Sequence, residues 1–217
     1  MGIQSGSERI RRDCYERETS DETIVSACRL LAKYGIVRNL DFILDNPYET
    51  VEDRWATVEL LARLPKPFYA NFFSLTYFPG VELTERALRD GYITRDDVED
   101  RAEKGYRLWG GALMQHRAPD ALYWDVLYTL AVHGFPLWLI RRLMNNGFVK
   151  EHVRQVARAT RWVQRLARWK TRQVDRIAGR PNLLEHFDRN TNREDHPAEP
   201  IIHPNYDLSP LSSSSAL

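Results

Sequence analysis

The first 92 residues alternate short apolar segments with longer segments whose apolar residues recur at helical spacing. The strand-like segments are Met1 to Gln4, Arg38 to Leu44 and the aromatic-rich stretch Phe68 to Phe78. Helices are predicted from Ser20 to about Gly35, from Thr50 to Leu64 and from Glu82 to Arg89. Such an alternation favours an α/β fold in which crossover helices join parallel strands.

Strand signals stop near Thr94, and the following segments have the pattern of helices separated by Pro, Gly and Asn. These predicted helices are Asp96 to Gln115, Asp120 to Val132, Pro136 to Asn145 and Val149 to Ala178. After residue 180 the composition shifts to Asn, Asp, Pro and Ser, which is typical of a tail that cannot bury a core. The pattern predicts an α/β region over residues 1–92, a helical region over 93–180 and a flexible, disordered tail over 181–217.

Composition narrows the class of protein only slightly. The chain has 217 residues, is 43% hydrophobic, and carries 31 Lys and Arg against 30 Asp and Glu, so its net charge of +1 favours no particular partner. It has only two cysteines and no signal-peptide pattern, which predicts a reduced, cytoplasmic setting. The most apolar stretch, residues 123–143, is interrupted by charged and helix-breaking residues, so we expect no membrane-spanning helix.

Three short motifs follow one another in the α/β region. Residues 2–7 read Gly-Ile-Gln-Ser-Gly-Ser, residues 17–20 read Arg-Glu-Thr-Ser, and residues 41–50 read Asp-Phe-Ile-Leu-Asp-Asn-Pro-Tyr-Glu-Thr. Tyr-Phe-Pro-Gly follows at residues 77–80. As an ordered set these motifs resemble the second half of a radical S-adenosylmethionine (SAM) enzyme, closest to the cobalamin-binding members and the oxygen-independent coproporphyrinogen oxidase group.

The resemblance implies an incomplete (β/α) barrel, a partial TIM barrel, in which residues 1–92 form the last three strand-helix units. It also implies that SAM is held by Gln4, Ser5, Arg17 and Asp41. The residue types suit that ligand, because an amide both donates and accepts, a guanidinium clamps a carboxylate, and a carboxylate accepts from ribose hydroxyls. None of the four residues is assigned a catalytic acid or base role.

The cluster-binding loop and the other cofactor of the family are expected elsewhere in a complete protein. The Cys-x-x-x-Cys-x-x-Cys loop that holds a 4Fe-4S cluster is expected to precede Gly2, so the partner implied for this chain is the N-terminal half of the barrel. In the complete protein the resemblance also implies cobalamin. There the cluster cleaves SAM to a 5'-deoxyadenosyl radical, which abstracts hydrogen from a small-molecule substrate that the sequence does not specify.

Each candidate residue also has an ordinary structural interpretation. Gln4 can satisfy backbone groups at the end of a strand, Arg17 can pair with Glu16 or Asp21, and Asp41 can be a solvated residue on an edge strand. Residues 45–50 also depart from the family's usual Gly-Leu-Pro-Gly-Glu-Thr, because Asp and Tyr replace the two glycines and a Cβ obstructs close backbone approach there.

The sequence indicates no metal site of its own. Cys14 and Cys28 have the wrong spacing for a cluster, and Cys28 falls on the apolar face of a predicted helix, where a buried structural thiol is expected. The histidines lack the paired spacing typical of zinc ligands.

A series of arginines recurs at steps of three and four residues in the last predicted helix. Its members are Arg154, Arg158, Arg161, Arg165, Arg168 and Arg172, with Trp162, Leu166 and Trp169 on a neighbouring line. This stripe is a candidate contact for an anionic membrane surface, and phosphates of nucleic acid are an alternative, although no specific nucleic acid is predicted. It is equally typical of a solvated helix face, with Val153, Val156 and Val163 packed inward.

We therefore expect a fragment of a radical SAM enzyme that binds SAM and is inactive alone. Two alternatives stay open: a non-catalytic helical adaptor at a membrane periphery or on nucleic acid, and a truncated reading frame with no independent role.

Overall fold

A computed structural model describes residues 1–98, 120–159 and 162. Its strands are β1 (Gly2–Gln4), β2 (Asn39–Leu44) and β3 (Tyr69–Ser74). Its helices are α1 (Glu8–Tyr15), α2 (Asp21–Lys33), α3 (Val51–Arg63), α4 (Glu82–Arg89), α5 (Ala121–Val132), α6 (Leu137–Met144) and α7 (Gly147–Glu151). Residues 95–98 and 153–159 are also helical.

The described strands form one parallel sheet in the order β1-β2-β3. Gly2 pairs with Asp41, the register shifts before Gln4, and β2 pairs with β3 in unbroken register from Asn39 to Leu44. Most of the described secondary structure is helical. The predicted α/β class with parallel strands is confirmed, and the closure of such a sheet into a barrel stays a prediction.

Helices cover one face of this sheet. Leu40, Phe42 and Leu44 point to that face and are buried in a core shared with α2, α3 and α5. The ring of Phe72 stacks on Tyr128 of α5 with centroids 5.6 Å apart. The described part of the C-terminal helical region therefore packs on the same core as the sheet.

The opposite face of the sheet is more open. The alternate residues of β2 are only partly buried, and Phe73 of β3 is 51% exposed. Because side chains alternate along a strand, the residues on this face include Gly2, Asp41 and Asn71, which are neighbours in the pairing register. This surface is called the open face.

Side-chain caps begin α2 and α3. Ser20 accepts from the Thr23 N–H, which confirms its predicted N-cap role. Thr50 and Asp53 form a reciprocal capping box at the start of α3. These two helices lie within one or two residues of their predicted bounds, and α4 has its predicted bounds without a side-chain cap.

Two predicted elements were wrong in extent, and one helix was not predicted. Helix α1, capped by Ser7, was not predicted. Strand β3 ends at Ser74, because β2 ends at Leu44 and offers no partner beyond the Leu75 N–H to Leu44 carbonyl bond. The helix predicted from Val149 begins two residues earlier and has a turn at His152. Its start shifts because the Asn146 side chain accepts from the Phe148 N–H.

Other predictions fall outside the described residues. These are residues 99–115 of the helix predicted from Asp96, the helix beyond residue 162 and the tail over 181–217. Among the residues that the structure does describe, no helix has both the length and the apolarity to cross a membrane.

Gly6 lies directly against the backbone of α3. Its N–H donates to Thr57 Oγ1 at 2.9 Å, and a Cβ at this position would lie 2.2 Å from Thr57 Cα and 2.8 Å from the Ala56 carbonyl oxygen. Backbone atoms cannot move aside as a flexible side chain does. The exit of β1 therefore reaches α3 only because residue 6 has no side chain.

Gly6→Ala is expected to lower the free energy of unfolding by about 2–3 kcal/mol, because the added methyl group overpacks a backbone contact. Gly147→Ala is the matched control, since a Cβ there meets no heavy atom within 4 Å, and its effect should stay within about 0.5 kcal/mol. Urea denaturation measures both. Equal stabilities of the two variants would contradict the packing described for Gly6.

Candidate functional site

The end of β1 carries the first candidate residue in an uncommon conformation. Gln4 has φ of 69°, and its side chain folds back over Gly2, where a Cβ would lie 2.9 Å from Nε2 and 3.0 Å from Oε1. The Gln4 Oε1 atom is buried without a hydrogen-bond partner among the described residues. A buried polar atom without a partner is costly, and left-handed backbone at a non-glycine residue is strained, so both features mark this position.

Arg17 reaches the same glycine from the loop between α1 and α2. Its Nη1 donates to the Gly2 carbonyl oxygen at 3.1 Å, and the side chain is otherwise exposed. The predicted alternative of an ion pair with Asp21 is wrong, because the Asp21 carboxylate binds Arg11 and Arg63. Arg17 therefore presents its remaining donors to solvent beside β1.

Asp41 lies on the open face next to Gly2 in the strand register. Its Oδ1 accepts from Asn71 Nδ2 at 2.8 Å, and Oδ2 lies 3.7 Å from the α-amino group of Met1. Its side chain is 36% exposed. The carboxylate is thus oriented by the neighbouring strand yet still accessible, unlike a freely solvated edge residue.

The structure brings three of the four predicted SAM-binding residues together around Gly2. They are Gln4, Arg17 and Asp41. Ser5 is not part of this group, since it is 1% exposed and its hydroxyl donates to Glu49 Oε1 at 3.0 Å. We call the three residues around Gly2 the Gly2 cluster.

A buried arginine fixes the two segments that meet at the Gly2 cluster. Arg11 is 1% exposed and donates to the Ser5 carbonyl at 2.7 Å and to the Thr19 carbonyl at 3.0 Å. Its third contact is with Asp21 Oδ1 at 2.6 Å. Ser5 follows Gln4, and Thr19 is two residues after Arg17. The Arg11 guanidinium therefore fixes the distance between the segment that carries Gln4 and the loop that carries Arg17.

A second group of polar residues lies where the strands end. Asn46 is buried and donates to the Tyr15 hydroxyl at 3.1 Å, while Asp45, with φ of 60°, accepts a hydrogen bond from Ser74. Burial raises the pKa of Glu49 to about 7, against the opposing effects of the Ser5 hydroxyl and Arg54. Glu49 is therefore a carboxyl group that exchanges its proton near neutral pH.

Asp53 supports this region with a permanent negative charge. Burial acts to raise its pKa, but hydrogen bonds from Arg9, Ser7 and Thr50 outweigh that effect and hold the pKa well below its usual range. The Ser7 hydroxyl donates to Asp53 Oδ1 at 2.6 Å. Asp53 thus joins the start of α1 to the start of α3.

Sequence reasoning missed Asn71, Glu49 and Arg11. Asn71 was the lone amide in an aromatic strand, which could have marked it as an open-face residue. The motifs include Glu49, but its burial depends on Ser5 and its surroundings, which are distant in sequence. Arg11 lies in a charged segment that resembles a solvated loop, and no local signal predicts its burial.

Among the described residues, no three His, Cys, Asp or Glu side chains form a group that could hold a metal ion. Cys14 and Cys28 are both free thiols. Cys28 is buried, as its position on the apolar face of the predicted helix indicated. Burial raises the pKa of the Cys14 thiol.

Part of the predicted arginine stripe is described. Arg154 and Arg158 are exposed, while Val153 is buried and Val156 packs against the core, so the predicted inward and outward faces are confirmed there. Arg161, Arg165, Arg168 and Arg172 lie outside the described residues.

The Gly2 cluster offers a set of binding groups: an amide with a free acceptor, a guanidinium with free donors and an accessible carboxylate. Such a set suits a small zwitterionic or hydroxyl-bearing ligand.

No protein-family model matches the chain, and a search of curated proteins also finds no match.

Replacing Glu49 with Gln is expected to change how stability depends on pH. The unfolded chain ionises Glu near pH 4.3, whereas folded Glu49 keeps its proton to about pH 7. The folded state binds more protons in this window, so Glu49 lowers the free energy of unfolding as pH rises through it, by about 3–4 kcal/mol in total. Relative to wild type, Glu49→Gln should therefore gain that amount between about pH 4 and about pH 8.

Urea denaturation across this pH range measures the difference. Glu18→Gln is the control, because Glu18 is an exposed loop residue and its removal should leave the pH profile parallel to that of wild type. A Glu49→Gln profile that also runs parallel would show that Glu49 titrates normally.

Proposed function

We propose that this chain binds SAM through the Gly2 cluster and forms the second half of a radical SAM barrel. The observation that carries the proposal is the convergence of Gln4, Arg17 and Asp41 on one glycine of β1. All three residues belong to the motifs that resemble the SAM-binding segments of the family. Their meeting at one point is what a shared ligand requires.

The cluster has the chemistry that SAM needs. The Gln4 Oε1 acceptor without a partner suits an ammonium or hydroxyl donor, and the exposed donors of Arg17 suit the methionine carboxylate. Asp41, oriented by Asn71, can accept from ribose hydroxyls. Because Gly2 has no Cβ, the Gln4 amide can lie directly against its backbone.

The one-sided sheet supports the barrel part of the proposal. In a (β/α) barrel, helices cover the outer face of the strands and the inner face lines the interior. Here α2, α3 and α5 cover one face, and Gly2 and Asp41 lie on the other. The partner proposed for this chain is accordingly the N-terminal half of the barrel, whose strands would pair with an edge of the described sheet and enclose the open face.

The 4Fe-4S cluster does not fit the residues present. The chain has two cysteines, separated by thirteen residues, and the described part has no ligand group, so we derive no step through the cluster. In the family the cluster supplies the electron that cleaves SAM. We propose that both it and any cobalamin belong to other parts of a complete, cytoplasmic enzyme.

SAM binding is expected to depend on the Gly2 cluster. Arg17→Ala and Asp41→Asn should each weaken SAM binding roughly tenfold or more, since each removes a hydrogen bond to a charged group or from a charged group. Isothermal titration calorimetry with the full chain measures the dissociation constants. Gln4→Ala should weaken SAM binding as well, although it also removes the buried Oε1 atom that has no hydrogen-bond partner among the described residues.

The matched controls are Arg12→Ala and Asp13→Asn, because this exposed pair makes its ion contact with each other. Both controls should bind SAM as wild type does. If the wild-type chain binds SAM and all five variants bind it equally, SAM occupies another site; if wild type shows no SAM binding, the proposed function fails for this chain.

The isolated chain is expected to produce no 5'-deoxyadenosine from SAM after anaerobic reconstitution with iron and sulfide and reduction with dithionite. Its cysteines cannot supply the three thiolates that the family's cluster uses. Liquid chromatography of the product mixture gives the answer, with Cys14→Ser and Cys28→Ser as controls for adventitious iron. Product above the level of a protein-free sample would contradict this expectation.

A further inference from the structure

The helices between residues 137 and 159 each turn one side toward the core. Ile140, Val149 and Val153 are buried in the same apolar cluster that covers the sheet. On α6, Trp138 and Arg142 are one turn apart and exposed, while Ile140 lies on the opposite side of the helix. The residues opposite these buried positions therefore face away from the protein.

Three aromatic side chains are exposed in this region. Trp138 is 69% exposed, Phe148 is 62% exposed and Trp162 is 65% exposed. Aromatic residues normally bury most of their large apolar area, and a group of exposed ones marks an interaction surface. Phe148 stacks only on His152 of its own segment, with ring centroids 4.0 Å apart, among the ring contacts described for it.

The same region is strongly basic. Residues 133–159 contain five basic residues (Arg141, Arg142, Lys150, Arg154 and Arg158) and one acidic residue (Glu151), excluding histidine. Arg141 and Lys150 face the rings of Trp55 and Tyr123 at 5.0 Å and 5.8 Å. Arg142, Arg154 and Arg158 form no hydrogen bond or ion pair with any residue that the structure describes.

We propose that these outward residues form a surface that docks on an anionic lipid bilayer. The basic aromatic surface consists of Trp138, Arg142, Phe148, Arg154, Arg158 and Trp162. Tryptophan rings settle at the boundary between headgroups and acyl chains, and arginines bind headgroup phosphates. Exposed rings that alternate with unengaged arginines match both requirements at once, and the contact is peripheral.

Duplex nucleic acid would satisfy the arginines alone. Its phosphates attract basic side chains but give no reason for three exposed rings on successive helical segments. The charge and the rings together therefore favour the bilayer over a duplex, and the experiment below separates the bilayer from single-stranded nucleic acid, whose bases stack on aromatic rings. This surface is independent of the Gly2 cluster, so its success or failure does not depend on SAM binding.

Vesicle flotation with the full chain tests the proposal. Vesicles of phosphatidylcholine with phosphatidylserine should carry the protein upward at low salt, and vesicles of phosphatidylcholine alone should carry far less. The triple variant Arg142→Gln/Arg154→Gln/Arg158→Gln should lose roughly tenfold or more in partition to anionic vesicles. Trp138→Ala should lose several-fold at unchanged charge, because the interfacial ring is removed.

The matched control is Arg29→Gln/Arg89→Gln/Arg95→Gln, which removes the same charge from exposed positions elsewhere. It should partition much as wild type does, and circular dichroism checks that every variant is folded. Equal losses in both triple variants, or no flotation of wild type with anionic vesicles, would overturn the proposal. So would binding to a duplex DNA or single-stranded RNA oligonucleotide that depends on the three arginines without vesicle binding.

Discussion

The buried guanidinium of Arg11 is the contact on which the candidate site depends. An arginine that is 1% exposed is tolerated only when its charge and its donors are all satisfied. Two backbone carbonyls and the Asp21 carboxylate satisfy it here. Breaking such a buried pair typically costs about 3–5 kcal/mol. The same contacts set the distance between the end of β1 and the loop that carries Arg17, so folding stability and site geometry share one side chain.

The two faces of the sheet differ in character. The covered face is apolar, holds most of the core and receives helices from both the N-terminal and C-terminal parts of the described chain. The open face holds Asp41, Asn71 and the folded-back amide of Gln4. Burial stabilises the first face, while hydrogen bonds between side chains order the second. This division leaves the Asp41 carboxylate partly exposed on the three-stranded sheet that the structure describes.

The elements most predictable from sequence are those with local start and stop signals. Ser20 and Thr50 cap their helices, and proline follows α3, so α2 and α3 have nearly their predicted bounds. The end of β3 was not predictable locally, because it depends on where its partner strand stops. Helix α1 escaped prediction because its eight-residue sequence is highly charged and has few apolar residues.

In the candidate site, too, some features were predictable from the sequence and others depend on residues distant along the chain. The resemblance alone selected Gln4, Arg17 and Asp41, which the structure brings together around Gly2. The separate environment of Ser5 was not foreseeable, since its hydroxyl meets Glu49, which is 44 residues away along the chain. The raised pKa of Glu49 likewise arises from burial, which no local pattern encodes.

The short first strand has a consequence for local opening of the folded molecule. Strand β1 is three residues long, lies at an edge and shifts register at its end, yet it pairs with residues nearly forty positions away. Because so few ladder bonds hold it, β1 is expected to open locally more readily than β2 and β3, which pair along six residues. A ligand that bridged β1, β2 and the Arg17 loop would fasten the least secured strand, so binding at Gly2 would also slow amide exchange along β1.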